Sequence, residues 1–189
     1  MKRSGILFIS LLILTSLLGG CKSEKEKRDE EHKKWEEEQT KEAIQNLEKE
    51  IPEAWTDLLS KSKDRTTAFV NLMNLLKTNN KLSLTLLEEC QTAIAEVNTT
   101  KVVDKSPTKA DIIEFQNKQK KLNAATDKLL EVYSKEPDVR LIDNADNLQV
   151  ELAKKNGALL NSTQVYRESV RTYNHLVGSE EKPNFEKNE

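Results

Sequence analysis

The stretch Ala145-Asp146-Asn147-Leu148-Gln149-Val150-Glu151-Leu152 opens a run that decides the fold. From it a seam continues through Asn156, Leu159, Thr163, Tyr166, Val170, Tyr173 and Val177, in alternating steps of three and four. A helix over 143–177 with this spacing carries nearly five heptads, the pattern of left-handed helix packing. Gly178 stands where a left-handed residue would end it. Gly157, inside the helix, costs about 1 kcal/mol against Ala; it either permits a close backbone approach or is simply tolerated. Asn156 and Thr163 are polar residues on an otherwise apolar seam. Such residues fix register, and a small-ligand cavity between helices is the less favoured reading.

Working back toward the N-terminus, three more amphipathic segments appear. Ser106-Pro107 reads as an N-cap and first helical residue. The helix that follows carries Ile112, Phe115, Gln119, Leu122, Thr126, Leu129 and Tyr133, and ends near Lys135, ahead of Glu136-Pro137. Before it, a helix over about 82–102 places Leu84, Leu87, Cys90, Ile94 and Val97 on one face. Earlier still, a helix over roughly 52–78 carries Trp55, Leu58, Leu59, Phe69, Leu72, Met73 and Leu76, with Ser62 and Arg65 or Thr66 in the intervening turns. Asn79-Asn80 closes it, since Asn tolerates the left-handed conformation. Ile44, Leu47 and Ile51 extend the pattern backward, with a kink or fresh start expected at Pro52. Four such helices on short connections cover their apolar stripes by forming an antiparallel four-helix bundle, so the fold class is all-α.

Composition agrees. A third of the residues are charged, 5% are aromatic, and the chain holds 5 Gly and 4 Pro, which favours long helices over strands and turns. The formal charge of −2 and the lack of a basic stripe argue against nucleic acid as a partner. His32 and His175 stand in no metal-ligand spacing, so neither metal nor cofactor is expected.

The first 20 residues read as a signal peptide: Lys2 and Arg3, an apolar run from Gly5 to Leu18, then small residues. That run of about 14 residues is shorter than the ~20 a membrane span needs. Leu18-Gly19-Gly20-Cys21 resembles the lipobox of bacterial lipoproteins. The resemblance implies cleavage between Gly20 and Cys21 and a covalent lipid on Cys21, with a membrane as partner. Lys22, in place of Asp, implies release to an outer membrane where there is one, and otherwise display on the outer face of the plasma membrane. Loss of Lys2 and Arg3 would take the formal charge from −2 to −4. Cys90 is then a single thiol, read as a small buried hydrophobe.

Residues 21–42 form a charged tether; 16 of the 21 positions from Lys22 to Glu42 carry a charge. Favourable pairs four apart, Glu24–Arg28, Asp29–Lys33 and Glu30–Lys34, support a helix, but the stretch buries too little to fold alone. It reaches ~30 Å if helical and ~70 Å if extended. The bundle proper is assigned to 43–178 and a polar tail to 179–189.

Several motifs, in order and spacing, resemble the LemA family of bacterial envelope proteins. Ala54-Trp55, Arg65 and Asn71-Leu72 fit its first-helix pattern. Tyr133 precedes the Pro137-Asp138 turn, followed by Leu148-Gln149-Val150-Glu151-Leu152. Tyr166, Val170 and Tyr173-Asn174 match a Tyr-x-x-x-Val-x-x-Tyr-Asn motif, and Lys182-Pro183-Asn184-Phe185 a closing Lys-Pro-x-Phe. The resemblance spans roughly 52–186 and implies an antiparallel bundle without an accepted chemistry, usually held by an N-terminal membrane helix. Three departures stand out: the lipobox replaces that helix, Lys155-Asn156-Gly157 replaces a Thr-Glu-Asn-rich patch, and Val70 stands where a Pro is familiar.

No nucleophile, base and acid converge in the sequence. Tyr166 and Tyr173 fall on the apolar stripe and read as core residues with a hydroxyl at the rim. The expected function is therefore non-catalytic: a lipid-anchored scaffold or accessory protein that binds another, unidentified envelope protein. The alternative is a self-associating spacer, a homo-oligomer between membrane and wall.

Overall fold

The computed structural model describes residues 23–100, 106–179 and 181–185. The proposed lipid site at Gly20 and Cys21 lies outside them. Four α-helices and a short 3-10 turn make up the described chain: α1 (Glu24–Thr78), α2 (Leu84–Asn98), α3 (Lys109–Lys135), the 3-10 turn (Pro137–Leu141) and α4 (Ala145–Val177). The chain divides into two compact units, one up to Ala43 and one from Ile44 onward. The first unit is exposed along α1 from Glu24 to Glu42 and holds surface ion pairs such as Lys33–Glu37.

No fresh helix starts at Pro52, one of the two outcomes expected there, for α1 runs through it. Proline removes one backbone donor and crowds the preceding turn. Ile51 and Trp55, on either side, are buried in the core and hold the helix through that defect. The Thr56 hydroxyl donates to the Pro52 carbonyl.

The helix ends follow local chemistry. Asn80 sits at φ +56°, the Asn80 N–H donates to the Lys77 carbonyl, and the Lys81 N–H donates to the Leu76 carbonyl. This pair of bonds is the Schellman arrangement, and Gly178 at φ +69° repeats it at the end of α4. The start of α3 departs from expectation. Its N-cap is Thr108, not Ser106, and Thr108 and Asp111 form a reciprocal capping box. Those bonds hold the Asp111 carboxyl below the usual range. Pro107 is buried just outside the helix rather than at its first position. Leu84, expected on the packed face of α2, is 79% exposed because it begins the helix after Ser83.

Side-chain pairs give the directions. Asp57–Ser162 and Asp64–Lys155 set α1 against α4 antiparallel, and Glu89–Lys128 and Glu96–Lys121 do the same for α2 and α3. Trp55 meets Phe115, and Arg65 meets Thr126, so α1 and α3 run parallel. The antiparallel four-helix bundle expected from the seam is therefore the observed fold. Helix α2, with 15 residues, covers only part of α3, with 27. Near its N-terminus α3 is packed by α1, α4 and the C-terminal segment.

Two apolar clusters result. One gathers Phe69, Leu72, Met73, Leu76, Cys90, Val97, Leu122, Leu129, Val139 and Leu152. The other gathers Ile51, Trp55, Leu58, Ile112, Phe115, Leu159, Tyr166, Val170 and Tyr173. Gly157 belongs to neither. A Cβ added there meets nothing within 4 Å, so no backbone approaches it closely. Gly157→Ala should raise stability by about 1 kcal/mol and the melting temperature by about 2–4 °C; a thermal melt followed by circular dichroism checks it.

Candidate functional site: a polar layer and the groove above it

Between the two clusters lies a buried polar layer. Ser62, Arg65 and Thr66 enter it from α1, and Gln119 and Thr126 from α3. Steps of three and four from Ser62 to Arg65 and Thr66, and of seven from Gln119 to Thr126, put each set on one helix face, in register with the apolar residues above and below. The Gln119 side-chain amide donates to Ser62 Oγ at 2.7 Å, and Arg65 Nη1 donates to Gln119 Oε1 at 3.0 Å. Arg65 Nη2 reaches Thr126 Oγ1 at 3.4 Å, at the long end for a hydrogen bond. Arg65 Nε–H has no acceptor.

Arg65 is only 3% exposed, and no carboxylate among the described residues forms an ion pair with it. Burial pushes its guanidinium below the usual arginine value, and the charge of nearby Asp127 works against that shift. The shifted group is still a cation, since arginine titrates far above neutrality. Asn156 and Thr163, the two polar breaks in the α4 seam, are half-buried on the facing helix. Together with Arg65, Gln119 and Thr126 they line a groove of about 1240 Å³ between α3 and α4.

One end of this groove is closed by Phe185. Its ring packs edge-on against Tyr166, with centroids 5.5 Å apart, and lies 6.1 Å from Phe115. Trp55 completes the group, 5.4 Å from Phe115 and 5.5 Å from Tyr166. The segment carrying Phe185 is tied down by polar bonds. Tyr166 donates its hydroxyl to the Pro183 carbonyl at 2.9 Å. Asn174 both donates to the Lys182 carbonyl and accepts from the Lys182 N–H. The described part of the polar tail is thus packed against the bundle.

The residues singled out in the sequence fall into distinct places. Trp55, Arg65, Leu72, Leu152, Tyr166, Val170 and Tyr173 are buried; Ala54, Leu148, Gln149 and Asn174 are half-buried; Asn71, Pro137 and Glu151 are exposed. Trp55 and Tyr166 meet in the aromatic group, and Arg65 heads the polar layer. Leu72 and Leu152 belong to the other cluster. Pro137 begins the 3-10 turn after α3. The Tyr173 hydroxyl lies 3.4 Å from carboxylates of Glu48 and Glu181, which together with desolvation raise its pKa. Tyr166, fully buried, is raised by desolvation alone.

Cys90 is fully buried among apolar side chains, and desolvation pushes its thiol up to about 11. Glu89 adds to the rise and Lys128 opposes it. The native state therefore holds this proton more tightly than the unfolded chain does. Its contribution is intact below the ordinary thiol value near 9 and is lost as pH rises toward 11. Urea titrations at rising pH should show stability falling across that window, and Cys90→Ala should reduce the slope. The tyrosines add to the same trend and remain in the variant.

These features place the chain among all-α antiparallel helical-bundle proteins. The profile of the LemA family matches residues 54–183, well over half of the chain, and the protein belongs to the LemA family. None of the curated proteins matches it. The matched span begins at Ala54, takes in Trp55, Arg65 and Tyr166, and stops two residues short of Phe185.

Proposed function

We propose that this LemA-family protein is a lipid-anchored, non-catalytic binding protein of the bacterial cell envelope, serving as a scaffold or an accessory to another envelope component. The observation that carries the anchor is Leu18-Gly19-Gly20-Cys21 directly after a short apolar run and directly before a charged one. Two or three acyl chains, at ~0.8 kcal/mol per buried methylene, hold a protein on a bilayer essentially permanently. The matched family, whose members are associated with membranes, supports the same reading. Among the described helices none is long and apolar enough to cross a membrane. The attachment proposed is the acyl chains on Cys21. The polar groups of the groove are amides, hydroxyls, three cations and the carboxylate of Asp127, a set suited to recognition. Growth with a radiolabelled fatty acid tests the anchor: label should appear in the protein and disappear in Cys21→Ala. An unlabelled wild-type product that partitions with water-soluble proteins overturns it.

The second reading, a self-associating spacer, draws on Val150, Leu160 and Val165, which α4 leaves 62%, 70% and 58% exposed. Sedimentation of residues 43–189 decides it, because a strict monomer at high concentration is incompatible with a spacer built from copies.

A further inference from the structure

We propose that the groove between α3 and α4 is a binding site for an extended acidic peptide segment, with Arg65 at its floor and Lys120 and Arg167 at its rim. The proposal rests on the binding reading above and gives it a place and a chemistry.

Charge pairing is the first argument. Elsewhere on α3 and α4, Lys118, Lys121, Lys128 and Lys155 each meet a carboxylate, from Glu114, Glu96, Glu89 and Asp64. The three cations that line the groove do not. Arg65 spends two donors on neutral oxygens and leaves Nε–H without an acceptor. Among the described residues Lys120 and Arg167 form no ion pair, and Asp127 is the one acidic residue among those that line the groove. The protein as a whole is negative, at −2, so its overall field disfavours anions. Attraction must come from this local excess of positive charge.

Shape and hydrogen-bonding chemistry narrow the occupant. The lining runs from Gln116 to Leu130 along α3, about 20 Å at the helical rise. An extended chain of about six residues has that length. Asn117, Asn123 and Asn156 present side-chain amides along it, each offering a donor and an acceptor, as a peptide backbone requires. Leu159, Leu160 and Phe185 add apolar contact toward one end. A compact anion would use only a fraction of these groups.

The test uses the full chain, purified in mild detergent from whichever cell fraction holds it. A fluorescein-labelled hexapeptide with three glutamates, and its counterpart with three glutamines, serve as probes in fluorescence anisotropy. The glutamate peptide should bind and the glutamine peptide should bind at least roughly tenfold more weakly. Lys120→Gln with Arg167→Gln, both at exposed positions, should weaken the glutamate peptide by roughly tenfold and flatten its dependence on salt. Lys77→Gln with Lys154→Gln, exposed and outside the groove, should leave binding unchanged. Equal binding of the two peptides, or equal losses in both double variants, overturns the proposal. So does a groove variant that loses binding to phosphatidylglycerol vesicles while the wild type fails to discriminate between the peptides; the groove would then read a lipid surface. None of these readouts depends on Cys21, so a failure here leaves the anchor standing, and an unlabelled Cys21 leaves the groove standing.

Discussion

Trp55→Ala is expected to cost about 3–5 kcal/mol, the range for emptying a large aromatic site in a core. Trp55 is 1% exposed and touches Phe115, Tyr166 and Phe185 through rings 5.4–6.5 Å apart. Each aromatic pair contributes about 0.5–1.5 kcal/mol beyond its buried area, and alanine removes three at once. The site cannot collapse easily, because α1, α3 and α4 each continue past it into other contacts. Trp55→Phe should be far milder. It keeps a ring in the site and removes an indole N–H that is buried without an acceptor. Urea denaturation of both variants checks the contrast. Fluorescence adds a second reading, since the other tryptophan, Trp35, is 58% exposed. Folded Trp55→Ala should show only a solvent-exposed emission.

Arg65→Ala should lose about 2–4 kcal/mol. The loss combines the apolar stem of the side chain with a Gln119 carbonyl left buried and unpaired. The contrast that isolates the polar layer is Arg65→Met combined with Gln119→Leu. Buried charges replaced by apolar side chains of similar volume are often neutral or stabilising, so this pair should recover most of the loss. A double variant as unstable as Arg65→Ala would mean that the guanidinium contributes net stability. If it recovers stability and loses the acidic peptide, then the layer is retained for recognition rather than for folding.

Helix α4 was legible because its whole length obeys one period, and period is a property of consecutive residues. Asn80 and Gly178 were legible for a similar reason: a left-handed terminus needs only local chemistry. Thr108 was missed because Ser106-Pro107, two residues earlier, offers an equally good local cap, and only burial of Pro107 outside the helix decides between them. The fresh start allowed for at Pro52 does not occur: the local cost of proline is real, but the packing of Ile51 and Trp55 that outweighs it is tertiary. The groove could be half seen. Asn156 and Thr163 announced a polar break in the seam, but nothing near them in the sequence points to Arg65 or Gln119 on other helices. Phe185 was noticed as part of a motif, yet its contact with Trp55 spans most of the chain.

That last contact orders events during synthesis. The cluster built on Phe69, Cys90, Leu122 and Leu152 has all its members once α4 is partly made. The ring stack at Trp55 must wait for Phe185, 130 residues further along the chain. One half of the molecule can therefore assemble early, while Trp55 stays without its final neighbour until Phe185 has emerged. A nascent chain that stops short of Phe185 would keep that aromatic surface accessible to chaperones.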